Sequence, residues 1–83
     1  MEQRIVSIQH LGNVLRTARK EKGITQGQVA KSIGLDQPSL SKIERGESSV
    51  RVDTLLRLIA ALDLDLIIQL RHKGEEFRKG DSW

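Results

Sequence analysis

Eighty-three residues with a formal net charge of +3 and no cysteine describe one domain with a modest core, and they exclude a disulfide framework, a thiolate metal site and a cysteine nucleophile. No stretch approaches a membrane span, and the opening MEQRIVSIQHLGNVL lacks the long apolar run of a signal peptide, so a cytoplasmic protein is expected. The charge is uneven: residues 16–51 carry eight basic against four acidic side chains, whereas 52–83 carry five against six, an asymmetry that suits a phosphate backbone although solvated Lys and Arg also account for it.

In chain order, residues 1–6 read as a short arm. Ser7 can cap a first helix running to about Lys22, with Ile8, Leu11, Val14, Leu15 and Ala18 on one side, and Gly23 ends it. Thr25 is an N-cap with Gln28 three residues on, which completes a capping box and starts a second helix at Gln26; its buried face is Val29, Ala30 and Ile33. Gly34 falls where a helix ends in a left-handed residue, and Leu35 can plug back into the core. Asp36 is a further N-cap, with Pro38 inside the first turn of a third helix. Leu40 and Ile43 are that helix's apolar pair, and Gly46 closes it. Two helices this short need flanking helices to cover them. After a polar connection at Glu47–Val50, a fourth helix is expected from about Val52 to Leu62, burying Leu55, Leu56, Leu58, Ile59 and Leu62.

The stretch LDLIIQL, residues 64–70, alternates in part: Leu64, Leu66, Ile68 and Leu70 on one side, Asp65, Ile67 and Gln69 on the other. It reads as a single β-strand, with a continuation of the fourth helix as the alternative. A lone strand needs a partner for its backbone groups, Ile5 and Val6 being the only candidate within the chain, and the economical one is the same strand of a second subunit. The last twelve residues, HKGEEFRKGDSW, are expected to be a flexible polar tail. Phe77 and Trp83, the two aromatic residues of the chain, both lie there; they are either anchors for a protein partner or, in the bland reading, Phe77 packs back and Trp83 is incidental. The expected fold is all-α: a four-helix or five-helix helix-turn-helix domain over 7–63, a dimerisation strand over 64–71 pairing across a homodimer, and a tail over 72–83.

The segment GITQGQVAKSIGLDQPSLSKIERG, from Gly23 to Gly46, resembles the phage-repressor (XRE/Cro-type) helix-turn-helix family of bacterial regulators, with the family's Gly, Thr-Gln, Val-Ala, Gly, Gln-x-Ser and Ile-Glu-Arg-Gly in register. The order of parts, with one aliphatic strand after the fourth helix and a short polar tail ending in Trp83, further resembles the HipB-type antitoxins. That resemblance implies a dimer joined through a two-stranded sheet, repression of its own operon, and neutralisation of a HipA-like serine/threonine kinase toxin. Phe77 and Trp83 then become candidates for toxin contact or for a degradation signal. The alternative is a stand-alone repressor with no toxin partner, which shares the helix-turn-helix and differs in the tail.

A helix-turn-helix sets the N-terminal residues of its second helix against base edges in the major groove, here Gln37, Pro38, Ser41 and Lys42. Gln37 can bond adenine in bidentate fashion, Ser41 can bond several bases, Lys42 can reach guanine, and Pro38 can make only apolar contact. Gln37 falls where the family's base-reading Gln lies. Phosphate contacts are expected from Gln26, Ser39 and Arg45, with Arg16 and Arg19 as additions; such contacts position the protein without reading sequence. The resemblance also implies an ion pair between Arg19 and Glu44. A dimer would bind palindromic double-stranded operator DNA with half-sites about one helical turn apart. His10 and His72 have no second ligand at metal spacing, and nothing beside Asp63 and Asp65 completes a catalytic site, so neither an enzyme nor a cofactor or metal site is expected.

Overall fold

In the computed structural model, which describes residues 2–71, the chain forms four helices: α1 (Ile8–Glu21), α2 (Gln26–Ser32), α3 (Gln37–Arg45) and α4 (Val52–Ala61). Side chains cap the first three. Ser7 Oγ accepts the His10 N–H at 2.9 Å, Thr25 and Gln28 bond each other's backbone N–H reciprocally at 3.0 and 2.8 Å, and Asp36 Oδ2 accepts the Ser39 N–H at 3.0 Å. At α4 the cap position holds Arg51, which makes no such bond, and the acidic Asp53 in the first turn complements the helix dipole instead.

All four helices end in one kind of turn, a left-handed residue whose N–H and the next both bond back to the final carbonyls, as Gly34 to Lys31 and Leu35 to Ala30 do at the end of α2. Asp63, at φ 58°, takes the left-handed place after α4, so that its N–H bonds Ala60 and that of Leu64 bonds Ile59 at 2.9 Å. This closure excludes the continuation of the fourth helix. An aspartate is among the few residues that accept the conformation, and its carboxylate bonds Lys22 Nζ at the end of α1.

The core joins Leu15 and Ala18 of α1, Val29, Ala30 and Ile33 of α2, Leu40 and Ile43 of α3, and Leu58, Ile59 and Leu62 at the end of the chain of helices, with Leu35 half-buried at its edge. Leu56 departs from its expected place: it is 48% exposed, and Thr54 is buried in its stead. Two residues from Leu58 is about 200° around a helix, so the two leucines cannot share a face. A second feature had no sequence signal. Gly12 lies against α3 so closely that a Cβ there would stand 2.5 Å from the Ile43 carbonyl oxygen and 2.6 Å from that of Glu44.

Residues 64–71 form neither strand nor helix in the single chain, and the strand was expected only when paired across a homodimer. The reason is the one that called for a partner: among the described residues Ile5 and Val6 supply no ladder. Leu64 packs half-buried on the core, but Leu66, Ile68 and Leu70, expected on the same face, are 52%, 91% and 78% exposed. The expectations for His72, Phe77 and Trp83 lie outside the described residues. No described helix is long and apolar enough to cross a membrane.

Candidate nucleic-acid interface

Burial of Leu40, Ile43 and Glu44 roots one side of α3 in the domain, which turns the other side outward: Gln37, Pro38, Lys42 and Arg45 are exposed and Ser41 is half-exposed. Asp36 stands at the head of this face. Its Oδ1 accepts the Ser39 hydroxyl at 2.7 Å while Oδ2 takes the Ser39 N–H, and these bonds hold its carboxyl below the usual carboxylate range. The negative charge therefore persists at neutral pH, directed onto the helix N-terminus. The Ser39 hydroxyl, donated to Asp36, keeps only acceptor capacity towards an outside group, which does not suit the phosphate contact expected of it.

Behind the face runs a chain of four side chains. Arg19 donates to Glu44 in bidentate fashion, Nε to Oε2 at 2.7 Å and Nη2 to Oε1 at 3.1 Å, and its Nη1 donates to the Ile24 carbonyl at 2.8 Å. Both partners are buried, at 8% and 6% exposure. Gln26 Nε2 donates to Glu44 Oε1 at 2.9 Å, and Gln37 Nε2 donates to Gln26 Oε1 at 3.3 Å. The first residue of α3 is thus oriented by a hydrogen-bond chain that ends at a buried ion pair. Each nitrogen of Arg19 donates inside the protein, which ties its guanidinium to Glu44 and to the Ile24 carbonyl. Arg16 and Lys42 are exposed, and their side chains make no hydrogen bond or ion pair among the described residues. The links from Gln26 to Glu44 and to Gln37 were missed by the sequence reading; they join residues 18 and 11 apart, and no local pattern signals them.

Arg45 is also engaged. Its Nε and Nη2 bond the two oxygens of Glu47 at 2.9 and 3.1 Å, and Nη1 donates to the Ser41 hydroxyl. The pairing raises the Arg45 pKa and lowers that of Glu47. Among the described residues no group of three or more His, Asp and Glu could hold a metal ion, and the Asp63 carboxylate is bonded by Lys22.

The helix-turn-helix family matches residues 15–68, the stretch that holds all four helix ends and the exposed leucine segment's start. The chain belongs to that family, in its XRE type. An uncharacterised HTH-type transcriptional regulator of Haemophilus influenzae is 40% identical over 61 residues, which are 72% of this chain and 62% of the relative, so the chain spans less than two thirds of that protein. Antitoxin HipB of Escherichia coli K12 is 29% identical over 66 residues, 80% of this chain and 75% of HipB. Among solved structures, a chain of the HipA-HipB-O2-O3 complex superposes with a TM-score of 0.74 at 28% identity, covering 82% of this chain and 96% of its own. These relatives are thus named as a transcriptional regulator and as an antitoxin.

Proposed function

We propose that this regulator is the antitoxin of a toxin–antitoxin operon: a homodimer that represses its own operon from a palindromic operator and neutralises a HipA-like serine/threonine kinase. The observation that carries this reading is that the likeness to HipB takes in 96% of that chain, and that beyond α4 this protein presents Leu66, Ile67, Ile68 and Leu70 to solvent. Four large aliphatics in five residues are a strong apolar patch on a domain this small, and a second copy of the same segment would cover them and supply the missing backbone partners. Ile68→Asp is accordingly expected to turn a dimer into a monomer in sedimentation equilibrium without changing helix content; a dimer of undiminished affinity would remove the segment from the interface.

On DNA, Gln37, Ser41 and Lys42 meet base edges with Pro38 in apolar contact, while Gln26, Arg45 and Arg16 meet phosphates. Gln37→Ala should cost on the order of 1–3 kcal/mol at one base position, whereas Arg45→Ala should weaken all sequences alike and reduce the salt slope by about 1. If both variants lost the same affinity on operator and random DNA, these roles would be misassigned.

The deciding experiment is co-purification of the full chain with the kinase-like product of the adjoining reading frame, beside a version ending at Arg71. Capture by the full chain that weakens on truncation, with DNA binding retained, supports the antitoxin and gives Phe77 and Trp83 a role in the contact. The 40% identity to a protein named only as a transcriptional regulator favours a second reading, a stand-alone repressor, and failure of the kinase to bind either version would establish it. Both place the protein in the cytoplasm, on the nucleoid.

A further inference from the structure

Glu47 has no part in the roles above, yet it occupies the DNA-facing guanidinium of Arg45. Its two carboxylate oxygens take the fork formed by Arg45 Nε and Nη2, and the remaining nitrogen of that guanidinium is turned onto Ser41, one of the base-facing residues. The arrangement is at the surface, with the Arg45 and Glu47 side chains 53% and 55% exposed, and DNA laid along α3 would reach all three residues. The backbone that carries Glu47 is fixed. Its N–H bonds the Lys42 carbonyl at 2.9 Å, and the preceding Gly46, left-handed at φ 70°, lies so close to Gln9 that a Cβ would stand 2.7 Å from the Gln9 Cα.

A carboxylate seated on an arginine fork presents two anionic oxygens with the geometry that a DNA phosphate presents to the same fork. We propose that Glu47 is an internal occupant of Arg45 which DNA phosphate must displace, so that it lowers the protein's affinity for DNA of every sequence. Displacement does two things at once: Arg45 passes to the phosphate, and the Ser41 hydroxyl is released towards a base edge. An exposed pair of this kind is weak, so Glu47 tempers binding without blocking it. The proposal rests on the assignment of Arg45 to a phosphate, and the experiment separates the two.

The test is a titration of five proteins, the natural chain, Glu47→Gln, Arg45→Ala, the double variant and the control Asp53→Asn, against the duplex upstream of the gene and a random-sequence duplex over a range of salt. Glu47→Gln is expected to bind both duplexes about two- to five-fold tighter, the range set by an exposed ion pair. Arg45→Ala is expected to bind more weakly with a slope shallower by about 0.9, and in its background Glu47→Gln should change nothing. Asp53→Asn, the same change of charge at another exposed carboxylate paired with arginine, should leave affinity unaltered. A gain that persists without Arg45, or that Asp53→Asn reproduces, makes Glu47 a general repulsive charge and overturns the proposal. A loss of affinity in Glu47→Gln overturns it too, by making Glu47 a brace for Arg45. Binding by the natural chain that Arg45→Ala leaves unchanged would sink both the phosphate contact and the proposal, whereas no binding at all would sink the DNA reading itself. All the sites are exposed, and an unshifted melting midpoint confirms that each variant is folded.

Discussion

Glu44→Ala should destabilise the domain by about 3–5 kcal/mol, the cost of leaving one member of a buried ion pair without its partner. The side chains of Arg19 and Glu44 are 9% and 2% exposed, so the guanidinium stranded by the mutation has no ready access to water. A chain of this length has a total stability of roughly 4–12 kcal/mol at the usual 0.05–0.15 per residue, so the loss takes a large share of it. At about 4–8 °C per kcal/mol for a domain this size, the melting midpoint should fall by about 12–40 °C, measured at fixed concentration because association would add its own stability. Replacing both partners, as Arg19→Met with Glu44→Leu, should recover part of the loss, since apolar groups of similar volume remove the stranded charge. Recovery cannot be complete: the Ile24 carbonyl loses the Arg19 donor at 2.8 Å and Gln26 loses Glu44 at 2.9 Å. The double variant therefore separates the two jobs of the pair. Folding returns in part, but Gln26 and Gln37 are no longer oriented, and discrimination at the base that Gln37 reads should stay impaired. A single Glu44→Ala midpoint within a few degrees of the natural chain would mean that Arg19 finds another partner, and would remove the anchor from the hydrogen-bond chain described above.

Much of this domain was legible because its signals are local. Ser7, Thr25 with Gln28, and Asp36 announce helix starts by the bonds they make three residues away, and Gly23, Gly34 and Gly46 announce the ends. The core of α2 and α3 followed from 3.6-residue periodicity. What the sequence did not show was of two kinds. One was a polar residue in a place usually given to glycine: Asp63 ends α4, and only its pairing with Lys22, 41 residues away, shows how it is accommodated. The other was geometry that only the assembled fold creates. Gln26 and Gln37 looked like two independent polar positions, and their bond depends on the angle between α2 and α3. The segment 64–71 illustrates a further limit: its alternation marks a surface seeking a cover, but a pattern in one chain does not say whether that cover lies within the chain or in a partner.

Gly12→Ala is the second substitution with a large expected effect, and it runs against the local rule. In the middle of an exposed helix, alanine is favoured over glycine by roughly 0.8–1 kcal/mol. Gly12 is buried, however, and the atoms that its Cβ would meet at 2.5, 2.6 and 2.9 Å are the Ile43 and Glu44 backbone, which has no rotamer to change. Helices α1 and α3 would have to separate, at the 1–3 kcal/mol that overpacking costs, so a net loss of up to about 2 kcal/mol is expected after the propensity gain. Because the moving carbonyl belongs to Glu44, separation should also lengthen its bonds to Arg19 and slacken the chain to Gln37. The substitution is thus expected to weaken specific DNA binding at temperatures where the domain is still folded. Gly27→Ala provides the contrast within the same protein. A Cβ there meets nothing nearer than 3.9 Å, so the propensity term acts alone and the domain should be unchanged or more stable by a few tenths of a kcal/mol. Denaturant melts of the two variants beside the natural chain decide the matter. Opposite signs place the backbone-to-backbone crossing of α1 and α3 at Gly12, whereas a Gly12→Ala variant as stable as Gly27→Ala would show that the helices stand further apart and that the small residue is there for another reason.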